Sequence, residues 1–298
     1  MWVFLLMMSL LLCPVAASTA RPDVKPGCQD KCGDVSVPYP FGIGEQSCAM
    51  NDFFFLNCSS GADGPPELWF GTIPVRNISQ QNGTVTVGIP AAFDCYNKTG
   101  NRTHKLSWSI TVGSGPFMFS DTRNLFTVIG CDTRAWMTND VLTYGAACLS
   151  ICTENVSLLE NNPCSGSGCC QTSIPRGLKS LNISTSSYNN HANVSDFNPC
   201  GFAFLVDRSS LKLSDWPLSR KPKNENDVYR ADAVIEWVVK NETCEQAKAD
   251  STSAYACGSN ANCTDSENQG YRCLCKEGFE GNPYLQDGCQ GKLIISFL

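Results

Sequence analysis

Histidine occurs only twice in the 298 residues, at His104 and His191, and charged residues make up only 17% of the chain. There is no His-Glu-x-x-His, phosphate loop or dinucleotide fingerprint. The serine-rich CSGSGCC around Ser165 and Ser167 is not the Gly-x-Ser-x-Gly of a nucleophile elbow. Cys-x-x-Cys, the turn that lowers a thiol pKa for redox work, is also missing. A carboxylate pair for glycoside hydrolysis needs only to meet in space, but nothing singles out a pair here. No enzymatic activity, cofactor or metal is expected. Beyond residue 20 no apolar run approaches the ~20 residues of a spanning helix, and the closing LIISFL has six. The formal charge of −6 argues against nucleic acid as a partner.

What the chain has in abundance is cysteine, nineteen in all. Residues 1–20 read as a secretory signal peptide, with an apolar run from Val3 to Leu12 and then small residues up to Ala20. Removing it takes Cys13 away and leaves eighteen cysteines in an oxidising compartment, so nine disulfides and no free thiol are expected. Asn-x-Ser/Thr triplets at Asn57, Asn77, Asn82, Asn97, Asn101, Asn155, Asn182, Asn193, Asn241 and Asn262 add the expectation of a glycosylated surface.

The periodicity is that of strands. In KLSWSITVG, Leu106, Trp108, Ile110 and Val112 alternate with Ser107, Ser109 and Thr111, one face buried and one wet. Similar runs recur at 83–89, 124–130, 200–207 and 233–239, separated by Gly, Pro and Asn clusters. The polar stretch SRKPKNENDVYR, 219–230, reads as an exposed loop in which Arg220, Lys221 and Lys223 are solvated, and the run after it as a return to the preceding domain. The fold class is mostly β, disulfide-rich and secreted.

From Cys244 onward the spacing Cys244, Cys257, Cys263, Cys273, Cys275, Cys289 is similar to an EGF-like module. Spacing alone leaves 15 pairings open. The resemblance implies Cys244 with Cys263, Cys257 with Cys273 and Cys275 with Cys289. The lead-in KNETC lacks the Asp-x-Asn-Glu-Cys of calcium-binding members, so no strong calcium site is expected.

CGDVSVPYPFGIG at 32–44, FFFLNC at 53–58, GCDTRAWM at 130–137, CSGSGCCQTSIPRGLKSLNIS at 164–184 and NPCGFAFLVD at 198–207 together resemble the extracellular region of plant wall-associated receptor kinases. CGSNANC and GFEGNPYLQDGC continue the likeness into the EGF-like part. The resemblance implies a signal peptide at 1–20, a galacturonan-binding domain at 25–130, a cysteine-rich β region at 131–240 packed with or continuing the first, an EGF-like module at 241–290 and a short tail at 291–298. Family members continue into a second EGF-like module, a transmembrane helix and a kinase. Here DGCQ is followed instead by GKLIISFL, so the chain reads as a secreted ectodomain without its own kinase. Its expected partners are cell-wall pectin and a full-length receptor kinase or other extracellular protein. The competing reading is a protein-recognition ectodomain for a peptide, microbial protein or co-receptor.

Pectin is a polyanion with flat sugar faces, so cations beside exposed rings are wanted. Residues 21–200 hold 11 Lys and Arg against 14 Asp and Glu, so attraction must be local. Lys98, Arg102 and Lys105, with His104, fall within YNKTGNRTHK with no acid among them. Tyr39 and Phe41, on the proline-rich edge after Cys28 and Cys32, are the stacking candidates, with core plugs as the alternative reading. Trp69, Trp108 and Trp136 read as core. Cys28, Cys32, Cys48, Cys58, Cys95, Cys131, Cys148, Cys152, Cys164, Cys169, Cys170 and Cys200 are expected to form disulfides whose pairing the sequence leaves open.

Overall fold

The computed structural model describes residues 23–60, 64–152, 154, 163–224, 227–250, 255–267 and 269–292. The expected signal peptide at 1–20, the Asn155 triplet and residues 293–298 of the tail lie outside the described residues. Three antiparallel sheets form the body. The first runs Phe117–Phe119, Arg230–Trp237, Thr84–Pro90, Ile73–Ser79, Pro66–Phe70, Asn57–Ser60. The second runs Cys169–Ser173, Asn124–Ile129, Cys200–Asp207, Ala92–Tyr96, Arg102–Leu106. The third runs Gly145–Ser150, Thr133–Thr138, Ser180–Ser187, Trp108–Thr111.

Strand Cys200–Asp207 is buried along its whole length. Side chains alternate across a strand, and here both faces find a core. Ala203 and Leu205 join the cluster shared with the first and third sheets. Phe202, Phe204 and Val206 join a second cluster under residues 208–220, where Trp216 stacks on Phe204 at 4.1 Å between ring centres. Strands from both ends of the chain interleave in these sheets: Arg230–Trp237 pairs with Thr84–Pro90, and Cys200 lies opposite Cys95. The first and second sheets are therefore built from strands on both sides of residue 130.

Nine disulfides use all eighteen cysteines from Cys28 onward. Those of the body are Cys28–Cys48, Cys32–Cys58, Cys95–Cys200, Cys131–Cys152, Cys148–Cys170 and Cys164–Cys169. The vicinal Cys169 and Cys170 sit on a strand and so point to opposite faces. Cys170 ties the second sheet to Cys148 of the third.

The proline-rich edge resolves as a plug. Phe41 is fully buried, with its ring 5.2 Å from Phe54 and 5.3 Å from Trp237, both edge-on. This corrects its assignment as a stacking face: the apolar ring gains more from this aromatic cluster than from solvent. Gly42 beside it is required, since a Cβ there would lie 2.4 Å from the backbone nitrogen of Ala49.

The EGF-like module carries Cys244–Cys263, Cys257–Cys273 and Cys275–Cys289, the pairing the resemblance implies. It begins with the short helix Cys244–Ala249, capped by Thr243 and Gln246 in a reciprocal box. The module packs on the body. Tyr284 lies 5.6 Å from Trp237, and Val239 N–H donates to Tyr271 O at 2.9 Å. Gly270, at φ +115°, lets the two backbones approach: a Cβ there would lie 2.3 Å from Lys240 O. The fully buried Asn282 completes the joint by donating through Nδ2 to Asp23 O and Tyr39 O, both at 2.7 Å. Asn282→Ala strips these carbonyls of a buried donor and is expected to lower stability by about 1–3 kcal/mol, read as a fall in the thermal midpoint.

Candidate functional site

The expected cationic loop is mostly self-neutralised. Lys98 Nζ lies 2.6 Å from Asp196, and both side chains are exposed. Arg102 Nε lies 2.7 Å from Asp94, whose buried carboxylate also accepts from Tyr96 OH at 2.8 Å. Asp94 stands just two residues before the YNKTGNRTHK stretch, on the preceding strand Ala92–Tyr96, whereas Asp196 is almost a hundred residues from Lys98 in sequence. Lys105 is exposed and His104 half-buried on the edge strand Arg102–Leu106; neither has an acidic partner among the described residues. His104 and Lys105 are successive strand residues and so face opposite sides, and of the three cations in the loop only Lys105 is left without an acidic partner among the described residues. Tyr39 is half-buried, with Lys25 Nζ 4.7 Å above its ring, and burial raises its phenol pKa. Arg220, read as a solvated loop charge, instead stacks over Tyr229 at 4.7 Å and Trp216 at 5.3 Å.

The third sheet holds what the loop lacks. In strand Thr133–Thr138 burial alternates strictly, with Thr133, Ala135 and Met137 inside and Arg134 and Trp136 outside. Trp136 is 41% exposed, which corrects its assignment to the core. Its cross-strand partners are the small Ala147 and Ser184, so neither flanking strand sets a bulky side chain directly opposite the indole. Arg134 lies opposite Ser186 and Leu149, and its Nε donates to Ser186 Oγ at 3.0 Å. The guanidinium carbon sits 5.5 Å from the Trp136 ring centre and 6.0 Å from that of Tyr188, within cation–π range. Tyr188 is 72% exposed.

Arg134 has no acidic partner among the described residues, although Asp132 is two positions away in sequence. That carboxylate is occupied elsewhere. It accepts from Ser187 Oγ at 2.6 Å and from the backbone N–H groups of Tyr188, Asn189 and His191 at 2.8–2.9 Å. The same bonds fix the turn that carries Tyr188. The result is an open platform of a cation between two rings, with serine hydroxyls alongside. Asn182, one of the glycosylation triplets, lies opposite Thr138 on the same face. Of the other triplets, Asn57, Asn77, Asn82, Asn97, Asn101, Asn193, Asn241 and Asn262 are exposed.

Among the described residues no group of three or more His, Cys, Asp or Glu is placed to hold a metal ion. No helix among them is long and apolar enough to cross a membrane.

The cation and its two exposed rings are thus carried on a disulfide-stapled β scaffold. Residues 28–88 match the family model described as wall-associated receptor kinase galacturonan-binding. From Arabidopsis thaliana, wall-associated receptor kinase 2 is 37% identical over 266 residues, covering 88% of this chain and 34% of that protein. Wall-associated receptor kinases 5 and 1 are 35% and 34% identical over 269 residues, with the same coverage. The chain is a homologue of the wall-associated receptor kinases over 88% of its length and carries their galacturonan-binding domain. It spans about a third of the length of the curated relatives it matches. No solved structure matches it.

Beneath the Tyr188 turn lies a titratable support. His191 is buried, stacks on Tyr96 at 5.4 Å and places Nδ1 2.7 Å from Asn198 O. Burial lowers its pKa, against the opposing pull of that hydrogen bond and the Asp132 and Asp94 charges. The unfolded chain then binds the proton more readily, so this stability is complete above the ordinary value near 6.5 and is lost as pH falls below it. Thermal midpoints measured from pH 7 to pH 5 should fall, and His191→Gln should flatten the slope below pH 6.5.

Proposed function

We propose that this chain is an extracellular, non-enzymatic pectin-binding region of a wall-associated receptor kinase-like protein, with demethylated galacturonan as ligand. The reading draws its ligand class from the galacturonan-binding match over residues 28–88. On this chain the observation that carries it is Arg134, held between the exposed rings of Trp136 and Tyr188 without an acidic partner among the described residues. A uronate carboxylate suits the planar fork of a guanidinium. The C–H face of a sugar ring suits an open indole, and Ser184 and Ser186 offer hydroxyls to its polar rim. Lys25 above Tyr39 supplies a second cation-on-ring pair, its ring inside the matched segment and its cation three residues before it.

One exposed charge pair contributes only about 1 kcal/mol in water. A polymer that repeats its carboxylate therefore gains by engaging several such points at once. The protein-recognition reading has its own support in the exposed Leu149 and Ile151, 46% and 51% exposed at the platform's edge. An interface between proteins, however, places its apolar residues at the centre and its polar ones at the rim. Here a guanidinium and serines sit at the centre.

The test uses the oxidised protein with Asn182→Gln in every variant, so that no glycan shares the face. Retention on demethylated polygalacturonate should exceed that on the methyl-esterified polymer and weaken as salt rises. Trp136→Ala and Arg134→Gln should each weaken binding about tenfold, near 1.4 kcal/mol. Lys98→Gln should change it less than about twofold, because Asp196 already cancels that charge. Equal retention on the two polymers removes the charge-based reading; salt-independent capture of a protein partner supports the other.

A further inference from the structure

A cavity of about 610 Å³ opens where the body meets the EGF-like module. Its wall is mainly apolar, formed by Phe53, Pro116, Met118 and Val238, with Lys179 and Asn241 among its polar groups. That volume is in the range that holds a drug-sized molecule, about 300–1,000 Å³. Phe53 is 49% exposed, an unusual state for a phenylalanine so close to a core. One side of its ring rests on Gly115, where a Cβ would come within 2.6 Å of Phe53 Cδ1. Its remaining exposure faces open space.

The wall also contains the first residue of an Asn-Glu-Thr glycosylation triplet, Asn241. We infer that the N-linked glycan of Asn241 folds back into this cavity, its first N-acetylglucosamine rings lying on Phe53, and braces the joint between body and EGF-like module. A tethered sugar needs only a weak free-solution affinity, since attachment makes its local concentration high. Its ring C–H groups match the negative face of the phenyl ring. Its hydroxyls and acetamide find polar neighbours in Lys179, whose Nζ donates to Gly115 O at 2.8 Å from the same wall, and in Asn51. Asn97 and Asn101, on an exposed turn, line none of the cavities described and serve as internal references. The inference is independent of what the Arg134–Trp136 platform binds.

The experiment uses the full chain secreted from a eukaryotic host. Glycopeptide mass spectrometry first reads occupancy at Asn241. The native protein is then treated with an amidase that removes N-glycans, and release is followed site by site. The expected result is that the Asn241 glycan leaves about tenfold more slowly than that of Asn97 or Asn101, a protection of roughly 1.4 kcal/mol, and that unfolding abolishes the difference. Phe53→Ala should bring the Asn241 rate up to that of the references while theirs stay unchanged. An unoccupied Asn241, or native release as fast as at Asn97, overturns the inference without recourse to any variant. Slow release that survives Phe53→Ala overturns the ring contact.

Discussion

Burial of strand Cys200–Asp207 on both faces is the constraint from which the rest of the body follows. A strand with two dry faces must be covered twice. The first and third sheets take one face through Ala203 and Leu205, and residues 208–220 take the other through Trp216. Its edges are filled by Asn124–Ile129 and Ala92–Tyr96. Ala92–Tyr96 precedes it by about a hundred residues and Asn124–Ile129 by about seventy, so forming this sheet closes a loop of about a third of the chain. Cys95–Cys200 fixes that closure covalently, and loop-closing bridges act mainly by restricting the unfolded chain.

The same burial decides which cations remain available. Asp94 and Asp207 have side chains only 1% and 5% exposed, and a carboxylate in that setting must be paired. Arg102 serves Asp94, and Arg123 serves Asp207 through Nη2 at 2.5 Å. Burial alone would raise the Asp207 pKa; the Arg123 and Ser209 hydrogen bonds outweigh it and hold the carboxyl below its ordinary range. These arginines are structural because the fold has buried acids to satisfy. Arg134 escapes because the nearest acid, Asp132, is satisfied by backbone N–H groups.

Strands were legible wherever periodicity was strict: residues 105–113, 124–130, 200–207 and 233–239 all contribute strands. The EGF-like pairing was legible through likeness. The body's cross-links were not, since spacing carries no information about which strands meet. The charge pair of Lys98 was hidden for the same reason: in one dimension the loop contains no acid, and folding brings Asp196 to it. The partner of Arg102, Asp94, stands only two residues before the loop on the paired strand. Trp136 was different, because its signal was present. TRAWMT alternates, and an arginine in phase with the tryptophan marks that face as the wet one. Phe41 could be resolved only by its partners Phe54 and Trp237, which lie 13 and 196 positions away in sequence.

An exposed tryptophan gives up stabilisation, because full burial of a large apolar side chain is worth about 1.5–3 kcal/mol. The third sheet forgoes this at several places at once: Trp136, Leu149 and Ile151 lie on one hairpin, with Tyr188 beside it. Its inner face is meanwhile packed through Ala135, Met137, Leu181 and Ile183, so the sheet does not need its outer residues for folding. Small partners around Trp136 keep that outer face flat, as an extended polymer requires and a compact ligand does not. Scattered single apolar residues on a surface mean little. A ring pair clasping a cation left without an acidic partner among the described residues is a more specific arrangement, and it is on that arrangement that the proposal of a chain-like acidic ligand rests.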